Sequence, residues 1–328
     1  MSNSISDKFH YVLPWHGDLM EGSGTGLQED IIDIWSVSRQ SPFTFNSNNS
    51  ALYNGKMYLH DSSKANFLIY NIIQNSWALS SNFPVRANFT FLQPYGGKLY
   101  CHDFASGGIY IYDISNDTWT VGEVAPADPK VSYFGPYLYY SGKIYTLEES
   151  LNRMLIYDIG ADVWTTGALC PIEEYGGFFS CLYCNKIYIL NHVILATVIY
   201  DIAYDNWTIG SFIEDDVFPM APQLYNGKIY CLSSTKNNMY VYDISTDTWT
   251  AKAKTPLENF LTSTSQLCNG KIYYVSAFGA DMLIYNISTN AWEVGMNSPD
   301  FMFVRTSQLY NNKIYCAHRF SPCIFIYG

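Results

Sequence analysis

Charged residues are scarce in this sequence, and most of those present are acidic. Lys, Arg, Asp and Glu make up 14% of the 328 residues, well under the roughly one quarter found in ordinary soluble proteins. Asp and Glu number 29 against 18 Lys and Arg, which gives a net charge of −11. Because such a field repels a phosphate backbone, we expect no nucleic-acid partner.

Long apolar runs are missing as well. No stretch approaches the ~18 apolar residues that a membrane-spanning helix needs. Residues 1–18 also lack the basic start and apolar stretch of a secretory signal. We therefore expect a protein that neither enters a membrane nor leaves the cytoplasm. We also expect it to be a monomer.

The sequence shows no spacing typical of a metal site, and we expect no cofactor. The glycine-rich run Glu21–Gly26 precedes a strand instead of opening a helix, unlike a phosphate-binding loop. Cys181 and Cys184 resemble a redox or zinc pair, but strand alternation would point their sulfurs to opposite faces. Cys101, Cys231 and Cys316 recur at one repeat position, which predicts small buried side chains in a reduced protein.

Against these absences, the sequence contains 29 Tyr and a clear internal repeat. A Lys-apolar-Tyr triplet recurs every 42 to 45 residues, at Lys56, Lys98, Lys143, Lys186, Lys228, Lys271 and Lys313. Fourteen residues after each Lys stands another Tyr, and in the first six units a Trp follows that Tyr by seven residues. A strand-rich repeat of this period predicts the blades of a β-propeller.

Each repeat divides into four strands joined by short connections. Asn54-Gly55, Asn226-Gly227 and Asn269-Gly270 are the preferred dipeptides of two-residue hairpins. A polar turn such as Ser245–Thr248 precedes the Trp and connects the third strand to the fourth. The alternation of apolar residues with Tyr and Thr gives every blade two faces that pack on neighbouring blades.

The two ends of the chain decide the number of blades. The last repeat stops at Tyr327-Gly328 after three strands, and the N-terminal region contains an unmatched segment, Ile31–Trp35. Trp35 lies 42 residues before Trp77. We therefore predict an all-β fold, a seven-bladed propeller of four-stranded antiparallel blades over residues 28–328, closed 3+1 by an N-terminal strand. Residues 1–27 are predicted to cap or plug one opening.

These residues resemble the kelch repeat, whose pattern runs Asn-Gly-Lys-Ile-Tyr, then Tyr-Asp, then a Trp after a polar turn. The resemblance covers residues 28–328 and implies the propeller fold. The sequence departs from it where kelch repeats carry a double glycine, five and six residues after each Lys. Polar pairs such as Asp61-Ser62, Glu148-Glu149 and His318-Arg319 stand there instead.

One end of the ring is the candidate functional face. The connections between strands 1 and 2 and between strands 3 and 4 are short and uniform, whereas the 2–3 loops and the inter-blade links vary. Variable loops on a rigid scaffold usually carry function. We name this end the variable face and expect a rim of acidic, cationic and aromatic side chains there.

The candidate ligand-binding residues of that rim come from the ends of the second strands and from the inter-blade links. They are His60, Asp61, Arg86, His102, Asp103, Tyr133, Glu148, Glu149, Tyr175, His192, Arg305, His318 and Arg319. The links also supply the carboxylates Glu258 and Asp300 and the rings of Phe260 and Phe301.

Two classes of function fit this face. The first is a binding module for a protein, a peptide, a glycan or a small polar molecule, which is how kelch-like proteins mostly act. The second is a small-molecule lyase, isomerase or cyclase with acid and base residues drawn from His60, His102, Glu148, Glu149 and His192. An enzyme predicts a closed pocket with a strongly shifted pKa, and a binder predicts a broad, shallow rim.

Overall fold

The computed structural model describes most of the chain after residue 29. The described ranges are 30–43, 47–61, 64–84, 89–103, 106–126, 137–148, 152–172, 179–213, 217–258, 260–318 and 321–328, without the side chains of 47, 48, 89, 90 and 263. The predicted cap or plug, residues 1–27, lies outside the described residues. Within them, no helix is long and apolar enough to cross a bilayer.

The strands form seven antiparallel four-stranded sheets, the blades, as predicted. Blade 1 contains β2 (Ser47–Tyr53), β3 (Lys56–Asp61), β4 (Leu68–Asn71) and β5 (Ser76–Leu79); blade 2 contains β6 (Phe89–Tyr95), β7 (Lys98–Asp103), β8 (Gly108–Asp113) and β9 (Thr118–Val124). Blade 3 contains β10 (Leu138–Tyr140), β11 (Lys143–Glu148), β12 (Arg153–Asp158) and β13 (Val163–Leu169); blade 4 contains β14 (Phe179–Tyr183), β15 (Lys186–Asn191), β16 (Ala196–Asp201) and β17 (Asn206–Phe212). Blade 5 contains β18 (Pro219–Tyr225), β19 (Lys228–Ser233), β20 (Asn238–Asp243) and β21 (Thr248–Lys254); blade 6 contains β22 (Thr262–Cys268), β23 (Lys271–Ser276), β24 (Met282–Asn286) and β25 (Ala291–Val294). Blade 7 contains β26 (Val304–Tyr310), β27 (Lys313–His318), β28 (Ile324–Tyr327) and β1 (Trp35–Val37).

The ring is closed by β1, which pairs with β28 through Trp35 opposite Tyr327. The closing strand begins at Trp35, the last residue of the unmatched segment Ile31–Trp35. Asp33 occupies the turn position two residues before the Trp, and its Oδ1 accepts a hydrogen bond from the Tyr327 hydroxyl at 2.6 Å. Ile31 is buried in the core between blades 6 and 7.

The hairpins between first and second strands have the predicted geometry. Asn54 and Gly55 have φ of 46° and 68°, and Asn226 and Gly227 have φ of 47° and 68°. A type I′ turn needs positive φ at both central residues, which Asn and Gly tolerate at little cost.

The recurring Tyr, Asx and Trp form a clamp between neighbouring blades. In blade 3, Asp162 Oδ1 accepts hydrogen bonds from the Tyr157 hydroxyl at 2.6 Å and from the Glu123 amide of blade 2 at 2.9 Å. Trp164 Nε1 donates to the Glu123 carbonyl at 3.0 Å. The Tyr–Asx part recurs at Tyr70–Asn75, Tyr112–Asp117, Tyr200–Asp205, Tyr242–Asp247, Tyr285–Asn290 and Tyr327–Asp33. In blade 3 the repeat signature therefore binds both the N–H and the C=O of one residue of the preceding blade.

Apolar side chains fill the wedges between blades. Tyr58 of blade 1 packs with Leu99 and Cys101 of blade 2, and Tyr315 of blade 7 packs with Met57 of blade 1 across the closure. Cys101, Cys231 and Cys316 are fully buried, as their repeat position predicts. Burial raises the pKa of all three thiols, so they serve as core side chains.

Glutamines join the first strands of consecutive blades at the inner side of the ring. Each Nε2 donates to the carbonyl and the hydroxyl of a serine in the next blade, as in Gln223 to Ser265, Gln266 to Ser307 and Gln308 to Ser50. The last of these pairs connects β26 of blade 7 to β2 of blade 1, so it joins the C-terminal part of the chain to the N-terminal part.

Candidate functional site

The residues that end the second strands are buried, which differs from the exposed rim expected of them. His60, Asp61, His102, Asp103, Glu148 and His318 are between 0 and 6% exposed. The prediction of an open rim is wrong for these six side chains, because the last residues of each second strand lie between blades. Their part in ligand binding stays a prediction.

Several of these polar side chains close the loop that follows their own strand. Asp103 Oδ2 accepts hydrogen bonds from the Ser106 amide at 3.0 Å and hydroxyl at 2.7 Å. Asn191 Oδ1 accepts from the amides of Val193 and Ile194 at 2.9 and 3.2 Å. Asp103 and Asn191, which replace the first glycine of the kelch pattern, are themselves buried and thus find partners in the amides of the following loop.

Glu148 is paired across two strands. Its fully buried carboxylate accepts a hydrogen bond from Arg153 Nε, and the two residues face each other in the β11–β12 ladder. Arg153 Nη2 also donates to the Pro126 carbonyl at 3.1 Å. Because a buried carboxylate is costly unless it is paired, this ion pair accounts for Glu148 at the end of β11.

His102 has a strongly perturbed acid–base equilibrium. Its ring is fully buried, and Nδ1 lies 2.8 Å from the Tyr137 hydroxyl. Burial lowers the pKa of His102 to about 4, against a smaller opposing effect of Asp103. The imidazole is therefore neutral at neutral pH. His60, at the same position of blade 1, is also buried and packs on the Phe83 ring at 5.8 Å.

Two further predicted residues, His192 and Arg305, lie in the described part of the chain. His192 is partly exposed, with its ring 4.7 Å from that of Phe218, and Arg305 is half-buried in β26. Arg86, Tyr133, Glu149, Tyr175 and Arg319 lie outside the described residues.

Cys181 and Cys184 lie in different environments. Cys181 is buried in β14, and burial raises the pKa of its thiol to about 12. Cys184 is exposed in the hairpin turn with φ of 47°, so it lies beyond the strand in which the sequence placed it. Across the described part of the chain, no group of three or more His, Cys, Asp or Glu side chains is arranged to hold a metal ion.

The variable face carries an aromatic cluster that the sequence did not single out as a site. The 2–3 loop of blade 6 and the link to blade 7 form a small antiparallel bridge, with Gly279 N to Met302 O at 3.1 Å and Met302 N to Gly279 O at 2.9 Å. Met302 points into the core and is fully buried. Phe278 and Phe303, the residues next to the bridge, meet edge to face with ring centroids 5.5 Å apart.

Phe301 extends this cluster, its ring 5.3 Å from that of Phe303. Phe301 is 54% exposed and Phe278 42%, and Leu261 in the preceding link is 38% exposed. We call Leu261, Phe278, Phe301 and Phe303 the aromatic patch. His318 contacts the backbone of the patch, with its Nε2 3.1 Å from the Phe301 carbonyl oxygen.

A cavity of about 180 Å³ opens beside the aromatic patch. Its apolar wall is formed by Leu257, Phe260, Leu261 and Phe278, and its polar wall by Ser276 and the carboxylates Glu258 and Asp281. A second cavity, at the outer edge of blades 4 and 5, lies between Phe212 and Trp249. Only the first one belongs to the variable face.

Some residues of the aromatic patch and of the adjoining cavity were expected at this face from the sequence. Phe260, Phe301, Glu258 and Asp300 were expected on the variable face from their place in the links. Phe278 and Phe303 were missed. The alternation Phe301-Met302-Phe303 was the available signal, because alternating side chains of an extended segment point to opposite sides.

Solved structures with this architecture share little sequence with the chain. Virginiamycin B lyase from Staphylococcus aureus matches with a TM-score of 0.74 at 12% identity, over 89% of this chain and 98% of its own. A fungal alcohol oxidase of the AA5 family, in complex with copper, matches with a TM-score of 0.69 at 12% identity, over 90% and 76%. YCF48 bound to D1 peptide matches with a TM-score of 0.67 at 9% identity, over 91% and 97%.

These likenesses confirm the seven-bladed propeller and show the fold alone. No protein-family model matches the sequence, and no curated protein matches it at a significant level. The kelch resemblance is therefore not confirmed.

Proposed function

We propose that this propeller is a polypeptide-binding module whose ligand docks on the aromatic patch of the variable face. The observation that carries the proposal is the cluster of exposed rings of Phe278 and Phe301, held in place by the Gly279–Met302 bridge. Exposed aromatic clusters mark interaction surfaces, since rigid rings bury much area at a low cost in conformational entropy. The binding of a peptide by YCF48, which has the same fold, supports this assignment.

The size of the adjoining cavity favours a polypeptide over a small molecule. At about 180 Å³ it is smaller than the roughly 300–1,000 Å³ of pockets that enclose whole ligands. It has room for one side chain of a longer ligand, whose remaining contacts would lie on the open rings beside it.

Peptide selection tests the proposal directly. A phage-displayed random peptide library is panned on the immobilised full chain, and the affinity of the enriched peptides is measured by fluorescence anisotropy. The double variant Phe278→Ser/Phe301→Ser should bind them at least about tenfold more weakly, since central aromatic contacts are each worth about 1–2 kcal/mol.

Phe212→Ser is the matched control, because Phe212 is 68% exposed but lies on the outer strand β17. This control should bind like the parent chain. Equal affinity of the parent and the double variant, with unchanged unfolding midpoints, would refute the proposal. Binding of the parent chain to glycans on an array, lost in the double variant, together with no selected peptides, would change the class of ligand from polypeptide to glycan.

The second candidate is a small-molecule enzyme of the lyase type. The lowered pKa of His102 favours it, and so does the likeness in fold to virginiamycin B lyase. Incubation with virginiamycin B, followed by chromatography, tests this candidate. Consumption of the compound by the parent chain but not by His102→Asn would establish the enzyme. An unchanged compound would count against it.

A further inference from the structure

We propose that the segment recognised by the aromatic patch carries an apolar residue directly beside a lysine or arginine. The apolar side chain enters the cavity of the variable face, and the cation lies between Glu258 and Asp281. This inference rests on the polypeptide-binding function proposed above and specifies the chemistry of its ligand.

The cavity has one apolar side and one acidic side. Phe260, which is 5% exposed, forms the inner part of the apolar wall together with Leu257, and Leu261 and Phe278 form its outer edge. An aliphatic or aromatic side chain placed there loses its contact with water on several sides, which is the main source of binding free energy.

Among the described residues, the two charged groups of the cavity wall are both carboxylates. Glu258 comes from the link between blades 5 and 6 and Asp281 from the 2–3 loop of blade 6, so two separate segments bring carboxylates to the same opening. Asp300 adds a third carboxylate next to Phe301 in the neighbouring link. A ligand cation beside the apolar anchor would therefore meet two acidic groups at once.

The cation already near this site is easily displaced. Lys254 Nζ lies 4.0 Å from Glu258 Oε1, and both side chains are largely exposed, at 60% and 79%. Such a surface pair contributes little stability, so Glu258 can exchange Lys254 for a cation of the ligand at low cost. Attraction over longer range comes from the net charge of −11.

The aromatic rings are also suited to a basic ligand. Phe278 and Phe301 are both exposed and both contact the Phe303 ring, and the face of such a ring attracts an ammonium or guanidinium group. His318 lies deeper, at the end of β27, with its ring 6.2 Å from that of Phe303. The described wall of the cavity is apolar on one side and acidic on the other.

The peptides selected on the parent chain give the first test. Lys or Arg should be enriched at the position directly before or after an apolar residue, relative to the unselected library. The affinity of these peptides should fall as NaCl is raised from 50 to 500 mM, because exposed charge pairs are screened by salt.

A charge-neutralising variant gives the second test. Glu258→Gln/Asp281→Asn should weaken binding of the basic peptides about three- to tenfold and reduce its salt dependence. Glu123→Gln/Glu293→Gln changes the net charge equally on the outer strands β9 and β25. This matched control should bind like the parent.

The outcomes separate this inference from the proposed function. Peptides that need Phe278 and Phe301 but show no basic residues, and bind Glu258→Gln/Asp281→Asn unchanged, would overturn the inference and leave the polypeptide-binding function intact. Peptides whose affinity is indifferent to the loss of both phenylalanines would overturn both. Enrichment of acidic peptides would overturn the inference alone.

Discussion

The buried imidazole of His102 links the stability of the propeller to pH. In the folded chain its pKa is about 4 because of burial, whereas the ordinary value is about 6.5 in an unfolded chain. Between these two values the unfolded chain binds a proton that the folded chain does not, so stability falls as the pH is lowered. Above pH 6.5 both states are neutral and the residue has no such effect.

We expect His102→Asn to reduce the acid sensitivity of the fold. One pKa unit corresponds to about 1.4 kcal/mol, so the parent should lose about 2 kcal/mol between pH 7 and pH 4.5 through this residue. Urea unfolding at the two pH values measures the difference, which should be about 2 kcal/mol smaller in the variant.

Tyr137→Phe is the control for this prediction. It removes the hydroxyl 2.8 Å from His102 Nδ1 but leaves the ring buried, so stability should fall by about 1 kcal/mol at both pH values without a change in slope. A parent and a His102→Asn variant with the same pH dependence would show that the pKa of His102 is not lowered in the folded chain.

At the scale of the strand and its turn, the clamp of Tyr, Asx and Trp explains the repeat signature. The Asx at each 3–4 turn accepts hydrogen bonds from a tyrosine of its own blade and, as in Asp162, from an amide of the preceding blade. Asn75 and Asn290 replace Asp in blades 1 and 6 and accept the same bond from tyrosine. The oxygen acceptor, and not the negative charge, is therefore what the position requires.

This distinction predicts opposite results for two substitutions at one residue. Asp162→Ala leaves the hydroxyl of the fully buried Tyr157 without its acceptor and should cost about 1–3 kcal/mol. Asp162→Asn keeps an oxygen at the same place and should remain within about 1 kcal/mol of the parent. Urea or thermal unfolding measures both, and a large loss in the Asn variant would show that the charge itself is needed.

At the scale of the whole ring, the closure between β1 and β28 is the point where the two ends of the chain meet. Only three residues of β1 pair with β28. Asp33 reinforces the contact by accepting hydrogen bonds from the Tyr327 hydroxyl and the Met296 amide, both at 2.6 Å. The closing blade therefore uses the same clamp as the others, with its Asx supplied from the start of the sequence.

We expect Asp33→Ala to loosen the closing blade before the rest of the ring. Amides of β28 should exchange hydrogen for deuterium about tenfold faster or more, since a lost buried bond costs on the order of 1–3 kcal/mol of local stability. Mass spectrometry of the peptides covering β28 and, as an internal reference, β19 of blade 5 provides the measurement. Equal acceleration in both blades would mean that the ring opens only as a unit.

The sequence by itself determined the fold, because the signals involved are local and repeated. The Asn-Gly hairpins set the turns by their positive φ. The spacing of 42 residues between Trp35 and Trp77 assigned the closing strand, which pairs with β28. Each repeat offered an independent copy of the same evidence.

The site was decided only by the tertiary structure. Whether a polar residue at the end of a second strand faces solvent or a neighbouring blade depends on how the blades pack, and His60, His102 and Glu148 are buried. Phe278 and Phe303 come together because a bridge joins Gly279 to Met302, residues that belong to different blades. Local sequence determines turns and strand alternation, whereas burial and contacts between loops follow from the packing of the complete ring.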